Sequence, residues 1–335
     1  MTVDDHIYCH VYNFLHNIII SYEYGRLILE LAAITNSVVS LFIIILVGVY
    51  GSKKKIITAE LNKGLTDILI KIALPFMIIS SFMFTYDDTI KSNVLKTFYL
   101  SIGAYAVMAV VSYILLIPVK KDKKTVLHFA NVFVNTGYVG FPVLNSIFGS
   151  EGVIYGSIFN IFFVIFVWTY GIMLYKGKLE KGYLKNEIIN LLLNPSIIAV
   201  AVGIIIMIFD IEIKGALLSS IKSIGNITGP LSMFIIGVIL SNVKLKQHLK
   251  DWTVYYGIII KLLIIPIIIY LISLLLKDSS KAAYSVIIMT AMPASAMTSI
   301  LAESFNKEKE FAAIIVSTTT LISLITVPIL IKLIT

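Results

Sequence analysis

Apolar residues in this chain recur in blocks of roughly 20, the length a helix needs to cross a hydrocarbon layer of about 30 Å. Ten such blocks follow one another: 31–50, 64–84, 95–118, 126–149, 152–175, 194–210, 215–241, 252–276, 281–304 and 308–333. Inside lipid, a backbone must satisfy its own hydrogen bonds, which restricts blocks of this kind to helices. The expectation is an all-α polytopic membrane protein of ten transmembrane helices. With 58% hydrophobic and 14% charged residues, the chain lies far from soluble domains, where roughly a quarter of residues are charged. The net charge of +8 is then a topology signal and not a nucleic-acid footprint.

The lysines sit mostly in the short loops. Loop one holds Lys53, Lys54, Lys55 and Lys63; loop three Lys120, Lys121, Lys123 and Lys124; loop five Lys176, Lys178, Lys181 and Lys185; loop seven Lys244, Lys246 and Lys250. The even loops hold only Lys91 and Lys96, then none, then Lys214, then Lys277 and Lys281. The positive-inside rule places the odd loops in the cytoplasm and both termini outside, in a cell membrane. Residues 1–30 read as an interfacial aromatic segment with Tyr8, Tyr12, Phe14, Tyr22 and Tyr24. Cys9, His6, His10 and His16 are metal-ligand types, but this segment is not read as a metal site. A lone cysteine allows no intrachain disulfide and no cysteine metal cluster.

Proline is rare in helix interiors because it removes a hydrogen bond and clashes with the preceding turn. Pro75, Pro118 and Pro142 in the first half are matched by Pro230, Pro266 and Pro293, which lie 155, 148 and 151 residues later. They fall in spans two, three and four, then seven, eight and nine. Five spans per copy is an odd number, so the second copy enters the membrane inverted, an arrangement common in secondary transporters. The chain divides into residues 1–30, a first five-helix repeat (31–175), a cytoplasmic loop (176–193) and an inverted second repeat (194–335). Spans four and nine hold equivalent places and both look broken, at Gly137, Gly140 and Pro142 in NVFVNTGYVGFP (131–142) and around Pro293 in MTAMPASAMTS (289–299). Groups freed at such breaks must meet protein, water or ligand, and half-helix N-termini attract anions.

At these residues the chain resembles the auxin efflux carrier family, which includes plant exporters and bacterial malate-permease-like members. The likeness runs through NTGYVGFPVLNSIFG (135–149), FVWTYG (166–171), GPLSMFIIG (229–237), KLLIIP (261–266) and AMPASAMTSILAESFN (291–306). It covers about residues 31–335 and lacks the long central loop of the longer plant members. The resemblance implies two inverted five-helix repeats, with spans one, two, six and seven as a scaffold and the rest as a transport domain. It implies that spans four and nine cross at Pro142 and Pro293, that substrate binds beside the crossing, that transport is elevator-like, and that a homodimer forms through the scaffold.

The expected substrate site is Asn131, Asn135, Thr136, Gly137, Gly140 and Pro142 on span four, Asn160 on span five, Lys261 on span eight, and Pro293, Ala294 and Ser295 on span nine. Asp67 and Lys71, four residues apart on one helix face, match an acidic–basic pair of the plant members and are expected to support proton coupling. Lys261 sits where those members carry arginine and is expected as a fixed charge on an anion path. Ser317, Thr318, Thr319 and Thr320 either line a pathway or bond their own helix. No HExxH, phosphate loop or nucleophile elbow occurs, so the expectation is a carrier and not an enzyme. The cargo is a small organic anion, a carboxylate such as an auxin-like acid or a dicarboxylate, with no cofactor beyond H+ or Na+ as coupling ion. Rival readings are a sodium-coupled symporter of the bile-acid type and a transporter-like ligand sensor.

Overall fold

The computed structural model describes residues 40–41, 43–83, 88–177, 192–241 and 251–334. The histidine- and cysteine-bearing segment 1–30 and most of loop five lie outside the described residues. All regular structure among the described residues is helical. We number the helices α1 (Ile43–Lys53), α2 (Glu60–Ser81), α3 (Asp88–Leu115), α4 (Lys121–Val132), α5 (136–148), α6 (150–176), α7 (Pro195–Ile208), α8 (Gly215–Ser241), α9 (Trp252–Leu275), α10 (Lys281–Thr290), α11 (Met297–Ser304) and α12 (Lys309–Ile334). Side-chain caps start several of them. Thr58 accepts from the Leu61 N–H, Asn194 from Ser196 just before Pro195, Asp251 from Thr253, and Ser280 from Ala283; each satisfies a first-turn donor that has no partner within its helix.

Among the described residues, six apolar helical runs are long enough to cross a membrane. One of them, 136–176, has 41 residues and would be about 60 Å long if straight. It turns back at Gly149, whose φ of 58° and ψ of −141° suit a residue without a Cβ. The two arms then run antiparallel: a Cβ on Gly152 would lie 2.6 Å from the Leu144 carbonyl, and the Thr136 hydroxyl donates to Asn160 Oδ1 at 2.7 Å. Outward-facing Ile102, Val110 and Ile114 on α3, and Ile267, Leu271 and Leu274 on α9, are left exposed. An apolar exterior of this kind suits lipid rather than water. This is a multi-pass membrane protein.

The helices pack as two groups. α2 lies against α7 and α8, and α1 meets α8 where Gly48 and Gly237 let the backbones touch: a Cβ on Gly237 would fall 2.1 Å from the Ile45 carbonyl oxygen. The second group joins α3 to α6 and α10, and α12 to α4, α9 and α11. Aromatic pairs knit it, among them Tyr105 stacked on Phe159 at 4.8 Å and Phe98 edge-on to Phe162 at 6.1 Å. Between the groups runs an apolar seam of Leu74, Met77, Ile78 and Phe82 against Phe141, Ile154 and Ile158.

Pro142 behaves differently from the expectation that it marks a break, and it does so in company with Pro75 and Pro266. Pro75, Pro142 and Pro266 each lie two residues past a wide π turn, at Leu69–Ala73, Thr136–Gly140 and Ile260–Ile264. Such a turn moves the carbonyl that the proline ring would otherwise strike. In each case the residue before the proline bonds back to the first residue of the turn, as Phe141 N–H does to Thr136. The helix therefore continues through these three prolines.

Candidate functional site

Span four is interrupted between Val132 and Thr136, and the span-nine segment between Thr290 and Met297. The two interruptions cross. Val134 and Ala294 pair as an antiparallel bridge, the Asn135 N–H donates to the Pro293 carbonyl at 2.8 Å, and the Ser295 N–H donates to the Phe133 carbonyl at 2.9 Å. Each break thus supplies the partners that lipid cannot. Thr319 of α12 also accepts the Ala294 N–H at 3.2 Å. Pro293 stands at this crossing, but Gly137, Gly140 and Pro142 do not. They belong to α5, because the π turn absorbs Pro142 and the extended residues are Phe133 and Val134.

A cavity of about 250 Å³ opens beside the crossing. Its lining includes Asn135, Thr136, Gly137 and Tyr138 at the start of α5, and Ser295, Ala296, Met297 and Ile300 around the start of α11. Asn160, Phe163, Val164, Val167 and Trp168 of α6 form one wall, Ile70 and Leu74 of α2 another, and Asn194 and Ser196 at the start of α7 complete it. Three helix N-termini therefore meet at one small space, each carrying roughly half a positive charge. No Asp, Glu, Lys or Arg is among the described lining residues.

Hydrogen bonding orients the polar groups. Asn135 Oδ1 accepts the Tyr138 N–H at 3.1 Å, so its amide nitrogen is left as a donor. Asn160 Oδ1 accepts from Thr136, which likewise leaves its amide nitrogen to donate. Ser295 Oγ accepts the Met297 N–H at 3.2 Å and caps α11. Gly137 and Ala296 add small residues at the two helix starts. A Cβ on Gly137 would have nothing nearer than Leu74 at 3.9 Å, whereas one on Gly140 would come within 2.6 Å of Met289 Sδ. Gly140 is therefore a packing residue that lets α5 approach α10.

The expected site residues separate into two sets. Asn135, Thr136, Gly137, Asn160 and Ser295 line the cavity; Asn131, Gly140, Pro142, Lys261, Pro293 and Ala294 do not. Lys261 is fully buried, and its ammonium donates to the carbonyls of Asn131 at 3.1 Å and Thr290 at 3.4 Å. These carbonyls lie at the ends of α4 and α10, just before the breaks, where a cation complements the helix dipoles. Lys261 thus lies behind the crossing, bound to two helix ends and outside the lining of this cavity. Asp67 and Lys71 form an ion pair at 3.0 Å with side chains 53% and 63% exposed, outside the lining. The four hydroxyls from Ser317 to Thr320 donate to carbonyls of their own helix. Sequence reasoning missed Tyr138, Trp168, Asn194, Ser196, Ala296 and Met297. The Asn-Pro start of α7 was a legible cap signal, but its convergence on the cavity is a tertiary fact.

A multi-pass helical protein whose two interrupted helices cross beside a small, polar-tipped cavity belongs to the class of membrane transporters. The chain belongs to the membrane transport protein family, that of the auxin efflux carriers, whose family model matches residues 33–331. It is 26% identical to uncharacterized transporter MJ1031 of Methanocaldococcus jannaschii over 306 residues, 87% of this chain and 95% of that protein. It is 23% identical to an uncharacterized transporter of Methanothermobacter thermautotrophicus over 204 residues, 60% of this chain and 65% of that protein.

Proposed function

We propose that the protein is a secondary carrier of a small organic anion, a carboxylate, bound in the cavity beside the crossing. The observation that carries this reading is the donor set of that cavity: the Asn135 and Asn160 amide nitrogens together with the starts of α5 and α11, and no described acidic residue in the lining. Donors without acids favour an anion. The volume of about 250 Å³ lies below the range of about 300–1,000 Å³ usual for drug-sized ligands, which favours a small cargo. The apolar wall of Phe163, Val167 and Trp168 suits an organic body, and Asn194 with Ser196 offers a second polar end for a dicarboxylate.

In this reading the two five-helix halves are inverted repeats, with both termini outside. The cavity then opens toward the cytoplasm, since α4 and α7 start on that side. The group of α1, α2, α7 and α8 is the scaffold, the site of a homodimer contact, and the other group slides along the apolar seam in an elevator motion. The protein performs no covalent chemistry and needs no cofactor beyond a coupling ion.

The test is uptake of labelled malate, other dicarboxylates and indole-acetate into proteoliposomes, with an imposed pH gradient, a sodium gradient or neither, beside Asn135→Ala. Saturable uptake that the variant loses supports the carrier. Dependence on sodium alone would favour the bile-acid type of symport, and binding without uptake a sensor.

A further inference from the structure

A histidine inside the membrane has no part in the cavity. His128 of α4 is buried, and both its ring nitrogens are held by hydroxyls of neighbouring helices. Nδ1 lies 2.9 Å from Ser112 Oγ of α3, and Nε2 lies 2.6 Å from the Tyr170 hydroxyl of α6. Hydroxyls both donate and accept, so this pair of partners suits the neutral ring and the doubly protonated ring alike. Amides or carbonyls at the same places would select one form.

The chain of bonds continues toward the crossing. Asn131 Nδ2 donates to the same Ser112 Oγ at 3.0 Å, while Asn131 Oδ1 is buried without a partner. A buried acceptor left unpaired is costly unless another state uses it. Protonation of His128 at Nδ1 supplies that state. The ring then donates to Ser112, whose own proton must turn away from it, and a half-turn of the Asn131 amide lets Oδ1 accept that proton while Nδ2 moves to the position that Oδ1 held unpaired. The backbone carbonyl of Asn131 is the one that Lys261 holds at the end of α4. A change at the ring is thereby passed to the residue that anchors the break.

We propose that His128 is a protonation site that couples proton binding to anion binding at the crossing; this rests on the carrier reading and names its coupling ion as H+. The charged and titratable groups around it are Tyr113 of α3, 6.4 Å away ring to ring, Tyr170 of α6, and Lys124 one turn earlier on α4, whose ammonium stands 4.7 Å from the Tyr113 ring. Lys261 of α9 lies at the far end of the network, and Asp251 at the start of α9 is taken up by Lys123. Among these described neighbours the free charges are positive, so a protonated ring gains from a negative cargo nearby. Four helical steps and three near-extended ones separate His128 from Asn135, on the order of 10–15 Å. At that separation and an effective dielectric of about 20, the mutual effect is roughly tenfold in affinity, and linkage makes it equal in both directions.

The experiment uses the whole protein with 15N-labelled histidine in lipid nanodiscs, His128→Gln identifying the ring signals. The ring is titrated from about pH 3.5 to 9, a window that extends well to both sides of the usual histidine value, with and without indole-acetate or malate. The expected result is a titrating ring whose midpoint rises by about one pH unit with saturating carboxylate, the equivalent of tenfold coupling. In proteoliposomes His128→Gln should keep carboxylate counterflow but lose accumulation driven by a pH gradient. Ser112→Ala, which keeps the ring, should still titrate with a smaller anion-linked rise. A ring that stays in one form across the range with and without carboxylate would overturn the proposal, as would gradient-driven accumulation by His128→Gln at the wild-type level. Wild-type protein that takes up no carboxylate under any gradient counts against the carrier reading instead, and the proposal is then judged on the titration without carboxylate, where a ring that does not titrate overturns it.

Discussion

Asn135 performs two tasks that substitution can separate. Its Oδ1 caps α5 by accepting the Tyr138 N–H, and its amide nitrogen is a donor at the cavity. Asn135→Ala removes both. Loss of the cap costs about 1 kcal/mol of stability. Loss of a donor to a carboxylate costs about 1.5–3 kcal/mol of binding, or roughly 10- to 150-fold in affinity. Asn135→Asp keeps the capping acceptor at a helix N-terminus, where the dipole favours a negative charge and burial of the residue opposes it. It removes the donor and repels an anion, so carboxylate affinity should fall at least tenfold, while the retained cap should leave it more stable than the alanine variant. Asn135→Ser, which also caps, should be stable and intermediate in binding. Thermal unfolding in detergent reads the first quantity and calorimetric titration with malate or indole-acetate the second. An aspartate variant that binds like the wild type would refute the donor role, and one as unstable as the alanine variant would refute the cap.

Gly237→Ala should lower thermal stability by about 1–3 kcal/mol, the usual cost of overpacking, because its Cβ would meet the Ile45 carbonyl at 2.1 Å. Gly137→Ala, with space around it, should unfold near the wild-type temperature but weaken carboxylate binding. Burial pushes the Asp251 carboxyl up, but bonds from Lys123 and Thr253 outweigh it and hold it below the ordinary carboxylate value; Lys96 and Ser280 do the same for Asp278. Their folded forms therefore bind protons less readily than the unfolded chain. Their stabilisation is complete above the unfolded value near about 4 and is lost as pH falls through the folded value. Asp251→Asn and Asp278→Asn, measured by unfolding between about pH 3 and 7, should flatten that acid limb.

The helical, multi-pass class was legible because about 20 apolar residues leave a chain few choices. Pro293 marked its break correctly, and Asn135, Thr136, Gly137, Asn160 and Ser295 were readable as small and polar residues beside interruptions. Pro142 misled, since a proline shows that a helix needs relief but not whether a π turn or a break supplies it. Lys261 was expected through the resemblance, and its rotation about α9, which sends the ammonium to two helix ends, is set by packing. Tyr138, Trp168 and Met297 are ordinary membrane residues in isolation, and only the hairpin at Gly149 and the crossing at Val134 and Ala294 gather them around one space.

The most direct test of the account is reactivity of a thiol placed at the start of α11, as Ala296→Cys in a Cys9→Ser background. In oriented proteoliposomes, a membrane-impermeant thiol reagent should modify it from the cytoplasmic side, and a transported carboxylate should slow the reaction in proportion to its occupancy. A thiol that reacts from neither side, or at a rate no transported carboxylate changes, would contradict a cargo site at the crossing.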